Sequence, residues 1–450
     1  MKFDLRCFVP QKIESPLRAV VSVVLTVTLL LMTTSCNLMS GEPTLSGGVR
    51  FVSGGSKVSS VDGTLALSGR EDKEAMESFE LKLGGWKYQG NITYRSCIQD
   101  MGWQAWKPGG EMSGTSGEGR AVFGVQIMLT GHVANYYDIS YRVNLQTSGW
   151  QDWVSNGTVS GKIDEPVIGL EIKLEAKKGD IRDTAWTITE YSDDSGNQAE
   201  FYTMKNNDDG TLIVIDGGYD ANTEQVRSII NINGGKVDHW FLTHYDEDHA
   251  CAFNSIYADP QGIEIGAVYC TPLDYDYYLE CAAERWWDVP WVYETFLSQT
   301  AGDDRINYLA RDDVFEIDGL TIEVFNSYDQ MIVDTGSADV ANYGSLLFKI
   351  SGEKDTFLVC GDVYGDLWIQ LSDMYGEKLE AEYVQLGHHG NNHVPPEEWA
   401  VVNADVAFFD GPAWLTESDD YDAKALNEWC QSNGITTYDF GTAPNSLPFE

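Results

Sequence analysis

Positive charge is scarce in this chain: 29 lysines and arginines stand against 70 aspartates and glutamates, a net charge of −41 over 450 residues. Such a surface repels polyanions at long range and favours solubility. Nucleic acid could be held only by a locally basic groove or through bound cations. Cysteine yields no framework either. Cys7 and Cys36 fall in an N-terminal leader, and Cys97, Cys251, Cys270, Cys281, Cys360 and Cys430 contain no C-x-x-C pair, which leaves structural zinc of that kind unsupported. They read as buried free thiols. The longest apolar run, AVVSVVLTVTLLLM at 19–32, is 14 residues, shorter than the ~20 needed for a membrane span. Histidine is scarcer than cysteine, at seven. What is present is core material: 43% hydrophobic and 12% aromatic residues exclude a disordered chain. The length predicts two or three domains.

The leader has the order of an export signal. Lys2, Arg6, Lys12 and Arg18 precede the apolar run, and the small residues TTS lead to Cys36. Cys36 stands where a bacterial lipobox puts its acylated cysteine, with Thr33 at the usual Leu position. The expectation is an exported, extracellular lipoprotein, in contact with the membrane only through residues 1–36; a retained signal-anchor helix is the alternative. With four bases and two acids in 1–36, the remainder carries −43.

Residues 37–48 read as a polar linker, and beyond them the sequence repeats. ITYRSCIQDMGWQAWKPGGEMSG (92–114) matches ISYRVNLQTSGWQDWVSNGTVSG (139–161), with Tyr94/Tyr141, Trp103/Trp150, Trp106/Trp153 and Gly114/Gly161 each 47 apart. Alternating strands close each copy at 123–129 and 169–174. A degenerate earlier copy without the tryptophan pair ends near 83. The predicted modules are all-β and span 49–175, as 49–83, 84–129 and 130–174. The tryptophans read as module core, with ligand stacking as the other reading. This pattern resembles the clostridial hydrophobic repeats with a characteristic Trp, found on Gram-positive surface proteins, which implies a cell-wall or surface carbohydrate or protein ligand.

From Trp186 the pattern changes. A hairpin over 200–218, turning at 207–210, is followed by strands near 239–243, 265–270, 321–326, 345–350, 356–362, 382–387 and 405–410. Helical stretches near 222–231, 290–300, 365–375 and 422–433 alternate with them, so 186–450 reads as a separate α/β layered domain. At 244–249 the stretch HYDEDH ends a strand. His244 and Asp246, two apart, project to one side of extended backbone, and Asp248 and His249 follow in the turn. Two further strand ends supply Asp362 (FLVCGD) and His388 with His389 (YVQLGHHG). Carboxylates and imidazoles gathered from separated strand ends suit a two-cation hydrolytic centre.

These residues resemble the metallo-β-lactamase fold, an αββα sandwich, with the strand LIVIDGG ending in Asp216 ahead of the H-Y-D-E-D-H turn. The order H-x-D-x-D-H, G-D, H-H-G, with N-x-x-S-L at 342–346, is similar to the extracytoplasmic domain of DNA-internalisation competence proteins. The resemblance implies that His244, Asp246, Asp248, His249, Asp362, His388 and His389 hold two divalent ions, Asp362 bridging them. The carboxylate-rich set admits manganese beside zinc. Asp248 either orients the attacking water or acts only as a ligand. No histidine lies between His249 and His388, where many relatives have one; Asp274, Cys270 or water would fill that place. Asn392 and His393 are candidate substrate contacts, His239 reads as structural and His132 as a surface residue. The aromatic stretch 274–293 is left open between a lid and a local core. The implied activity is hydrolysis of a phosphodiester or small-molecule substrate by cation-activated water, nuclease-like by subgroup although the charge opposes DNA. Lactone or small-ester hydrolysis, or a surface binding protein with a catalytically weak domain, are the alternatives.

Overall fold

The computed structural model describes residues 42–52, 57–69, 73–85, 89–179, 181–283, 285 and 289–450. The leader, Cys36 and residues 37–41 lie outside them. Among the described residues no helix is long and apolar enough to cross a membrane. Residues 42–44, 84 and 85 apart, the described residues belong to one compact unit, which holds the clear repeat copies and the whole α/β region. The linker expected at 37–48 is corrected at its end. A strand, Thr44–Phe51, begins inside it and joins a sheet with Met76–Gly84.

Three successive β units make up the repeat region. The paired strands Asn91–Ile98 with Val122–Thr130, and Tyr137–Leu145 with Val167–Ala176, are the long arms of the two clear copies. The repeated Tyr and Ser-Gly explain how copies interlock. Buried Tyr94 accepts from Leu81 N at 2.9 Å, and Tyr141 accepts from Ile127 N at 3.0 Å, so each hydroxyl reaches the strand of the copy before it. Ser113–Gly114 and Ser160–Gly161 likewise add to the preceding copy's sheet. Gly161 sits at φ +140°, and a Cβ there would lie 2.2 Å from Phe123 O, so only glycine fits.

Residues 186–450 form two facing seven-stranded sheets. The first runs Ile306–Tyr308, Glu264–Cys270, Lys236–Leu242, Leu212–Asp216, Phe201–Asn206, Trp186–Glu190 and Asn445–Phe449. The second runs Val314–Ile317, Leu320–Asn326, Leu347–Ser351, Thr356–Val359, Tyr383–Gln385, Val406–Phe408 and Thr436–Tyr438. Their inner faces meet in a core that includes Ile188, Tyr202, Ile213, Phe241, Phe348, Phe357 and Phe408. Helices Thr223–Ile232, Glu247–Ala258 and Trp291–Thr300 cover the first sheet, and Gly365–Tyr375 and Asp422–Ser432 the second. This is the expected αββα architecture. Parallel pairing of the strands that end at residues 216 and 242, and of those ending at 359 and 385, brings distant strand ends to one edge. Two elements were not legible. The HYDEDH stretch is not a free turn, because helix Glu247–Ala258 starts inside it, and Asn445–Phe449 closes the first sheet.

The repeats and the sandwich lie in one compact unit, and Trp106 is one of the contacts between them. It is 2% exposed, packs into the cluster of Val226, Ile229 and Trp240, and its backbone N–H donates to Ser228 Oγ at 3.2 Å. Arg95 adds a bidentate bond to Asp194 at 2.6 and 2.8 Å. Reading all four repeat tryptophans as module core is therefore wrong, since Trp150 and Trp153 are exposed. His132 is not a plain surface residue either. Its two ring nitrogens face Asp183 at 2.8 Å and Asp208 at 2.9 Å, and carboxylates accept only, so both nitrogens donate.

Two of these contacts can be measured. Trp106→Ala is expected to cost about 3–5 kcal/mol in urea unfolding. His132 has a raised pKa: burial by itself would lower it, but the bonds to Asp183 and Asp208 outweigh that. Its contribution is complete below the ordinary value of 6.5 and is lost as pH rises through the raised folded-state value. The melting-temperature gap between wild type and His132→Leu therefore closes at alkaline pH; a gap that widens there contradicts the assignment.

Candidate metal centre

The strand ends place their polar side chains at one edge of the sandwich. His244 follows strand Lys236–Leu242, Asp246 is the N-cap of helix Glu247–Ala258, and Asp248 and His249 are on that helix's first turn. Asp362 lies just past Thr356–Val359, and His388 and His389 just past Tyr383–Gln385. Gly387 is forced at that approach, because a Cβ there would lie 2.1 Å from Val363 O. His388 and His389 both adopt left-handed backbone, φ 54° and 55°. That conformation is costly for non-glycine residues and typical of functional sites.

Asp362 is the hub. Its carboxylate lies 3.9 Å from His244 Nε2, 3.3 Å from His249 Nε2, 3.9 Å from His388 Nε2 and 3.8 Å from His389 Nε2. Asp246 stands 3.7 Å from His244 Nε2, and Asp248 3.9 Å from His249 Nε2 and 3.4 Å from His389 Nε2. Three groups share His249, namely His244–His249–Asp362, Asp248–His249–His389 and Glu200–Asp216–His249, each with ligand atoms within 4.8 Å of one another. All seven expected ligand residues are thus brought together.

Two of the rings are held on their far side. His249 Nδ1 donates to Asp216 at 2.7 Å, and Asp216 also accepts from Thr243 N at 2.8 Å and Thr243 Oγ1 at 2.6 Å. His388 Nδ1 donates to Asn391 O at 2.6 Å. Anchored at Nδ1, these two rings turn Nε2 inward, the arrangement that orients metal-ligating histidines. Inward, His244 Nε2, His249 Nε2, His389 Nε2, Asp246 Oδ1 and Asp362 Oδ1 are buried without a hydrogen-bond partner among the described residues. Each such group costs about 1–3 kcal/mol if left unmet. Divalent cations satisfy this donor set, so the residues fit the metal ions that the fold implies. The electrostatics agree. Burial alone would raise Asp362, yet His249, His389 and His388 hold it well below the carboxylate range. Burial alone would lower His249, but Asp362 and Asp248 raise it well above its ordinary value.

Other expectations fare differently. Cys270 is buried, with its sulfur 3.9 Å from Asn307 O, and Asp274 caps helix Tyr275–Ala282 through Tyr277 N at 2.9 Å. Neither stands in for the missing histidine. Asn392 is corrected as a substrate contact, being buried and accepting from Val394 N at 3.3 Å. His393 does line the cleft and pairs with Asp422 at 2.6 Å. His239 pairs with Asp318 at 2.6 Å, away from the centre. The aromatic stretch divides: Tyr278 and Tyr293 are buried, Tyr293 stacking on Tyr245 at 4.1 Å, while Arg285 and Val289 face the cleft. Sequence reasoning missed Arg285, held by Asp339 at 2.5 Å, and Glu200, whose buried carboxylate lies 3.6 Å from His249. Neither sits in a local pattern that marks it. The cleft over the centre holds about 560 Å³ and is also lined by Gln198, Tyr219 and Tyr364.

Comparisons with known proteins point to the same two regions. Residues 97–131 match the model of the clostridial hydrophobic W repeat, and residues 202–260 that of the metallo-beta-lactamase superfamily. Among solved structures the chain is similar to the metallo-beta-lactamase fold protein YhfI from Bacillus subtilis, at 10% identity and TM-score 0.37, over 58% of this chain and 99% of that one. A possible metal-dependent hydrolase from Veillonella parvula aligns at 12% identity and TM-score 0.35, over 59% and 100%. CmlA, a diiron beta-hydroxylase from Streptomyces venezuelae, aligns at 10% and 0.37, over 61% of this chain and 55% of its own. No curated protein matches. The C-terminal region has the metallo-β-lactamase fold and the N-terminal region carries a clostridial hydrophobic W repeat.

Asp216 meets His249 at Nδ1 and not at the inward Nε2. Asp216→Ala is expected to weaken Zn²⁺ or Mn²⁺ affinity about 10–100-fold in a chelator competition titration. Unchanged affinity would show that His249 needs no such partner.

Proposed function

We propose that this chain is an exported, surface-held hydrolase with two divalent cations, Zn²⁺ or Mn²⁺, acting on phosphodiesters. The carrying observation is the convergence of seven ligand-type side chains around Asp362, five of which have unpartnered buried atoms, beside a cleft lined by Asp246, Asp248, Asp362, His388 and His389. Bound cations would supply electrophilic stabilisation and lower the pKa of water. The protein's part is to hold and orient. His249 is common to the ligand groups, Asp362 faces all four imidazoles, and Asp216 and Asn391 fix His249 and His388 in the ligating tautomer. Asp248, beside His249 and His389, is positioned to orient the attacking water and receive its proton as the ester P–O bond breaks.

Asp246, Asp248 and Asp362, with Asp216 and Glu200 behind His249, would offset most of the charge of two divalent ions, which disfavours a highly charged substrate. Arg285, already paired with Asp339, adds little to that balance. The −41 chain disfavours long DNA as substrate. Small phosphoesters and cell-wall phosphodiesters fit better, with lactones as the competing ester class. Surface location is supported by the signal-like order of residues 1–36 and by the clostridial repeat.

The test is turnover of bis(p-nitrophenyl) phosphate alongside elemental analysis of the purified protein. Wild type is expected to hold about two equivalents of Zn or Mn and to turn over, with Asp362→Ala losing at least about 10²-fold in kcat/KM. Equal rates in the two proteins would remove the enzyme reading. Turnover of a lactone but not the phosphodiester would move the substrate class.

A further inference from the structure

The two tryptophan repeats are internal controls for each other. In the first, the Arg95 guanidinium lies over Trp103 at 4.8 Å and over Trp106 at 4.9 Å. Its cross-strand neighbour is the neutral Gln126, which accepts from Arg95 Nε at 2.7 Å. The positive charge is left for Asp194, and the sandwich covers Trp106. The second repeat builds the same ladder, with Arg142 at 4.8 Å from both Trp150 and Trp153, extended by Lys173 at 4.6 Å over Trp153. Here the cross-strand neighbour is Glu171, which meets Arg142 at 2.7 Å. Lys173 is matched by Glu175 at 3.1 Å. Among the described residues nothing covers this face: Trp150 is 42% exposed and Trp153 37%, against 2% for Trp106.

The exchange of Gln126 for Glu171 decides what the open face suits. An acidic partner, the kind the first repeat grips through Asp194, finds each cation there already matched by a carboxylate. A polypeptide docked over the indoles would have to dehydrate Arg142, Glu171, Lys173 and Glu175 together, at several kcal/mol per ion. A sugar chain presents apolar C–H faces to indole rings and hydroxyls that both donate and accept. It can therefore bond to the charged rim without stripping it. The rim is electrically balanced, so a neutral chain is favoured over an anionic one.

We infer that the second repeat is a binding site for a neutral saccharide chain, formed by Trp150, Trp153, Arg142, Glu171 and Lys173. This deepens the surface-holding role proposed for the repeats and does not depend on the metal chemistry. It is tested on the full chain by calorimetric titration with cellohexaose and N-acetylglucosamine hexamer, with polyglutamate and hyaluronan as anionic probes. At least one neutral hexasaccharide is expected to saturate the wild type. The double variant Trp150→Ala/Trp153→Ala is expected to weaken it about tenfold or more, with phosphodiester turnover unchanged. Because the double variant removes two ladder rungs, Glu171→Gln serves as the second arm. It copies the first repeat, keeps both rings, and is expected to weaken the neutral ligand while raising affinity for the anionic probes. The inference is overturned if no neutral hexasaccharide binds at about 10 mM, if binding survives both variants unchanged, or if only the anionic probes bind the wild type. Turnover measured on the same samples keeps such a failure separate from a failure of the hydrolase reading.

Discussion

The structure of the candidate site depends on one constraint: His249 and His388 are fastened at Nδ1, which leaves their Nε2 atoms turned inward. Asp216 takes three hydrogen bonds and so fixes Thr243 and His249 together. Asn391 O fixes His388. With those outer atoms committed, the buried inward nitrogens and the Asp362 carboxylate have only one another and a cation to answer to. Asp362 cannot serve alone, since its reach to four imidazoles depends on strands from both sheets ending at the same edge.

That edge comes from the way the sheets pair. Parallel pairing sends the chain ends that carry His244 and Asp216 in one direction, and those that carry Asp362 and His388 in the same sense within the second sheet. Apolar inner faces then hold the sheets together along their length. The polar residues are confined to the one edge where the strands run out, and desolvation there makes their mutual charge interactions strong.

The repeats add a second principle, reuse of one device with different closure. Arg95 and Arg142 are sandwiched between tryptophans in the same way. Cross-strand differences, Gln126 against Glu171 and Met128 against Lys173, distinguish the copy that clasps the sandwich from the copy that stays open. The tryptophan pair is therefore a surface device in both copies, and its burial depends on what lies opposite.

Much of this was legible in the residues. Strand ends carrying His, Asp and Gly marked the candidate ligand residues, since apolar runs that stop at polar residues mark where a sheet meets its edge. The 47-residue period gave the repeats, because each unit must present the same contacts to its neighbours. Local pattern could not say which residues would meet from far apart. Trp106 against Ser228, His132 between Asp183 and Asp208, Glu200 beside His249 and Arg285 against Asp339 are contacts between segments whose separation in sequence carries no periodic signal. Nor could it exclude Cys270, Asp274 and Asn392, whose chemistry suits the site but whose side chains point elsewhere. Chemistry and periodicity are properties of neighbours along the chain; proximity and burial are properties of the packed molecule, and only the tertiary structure decided them.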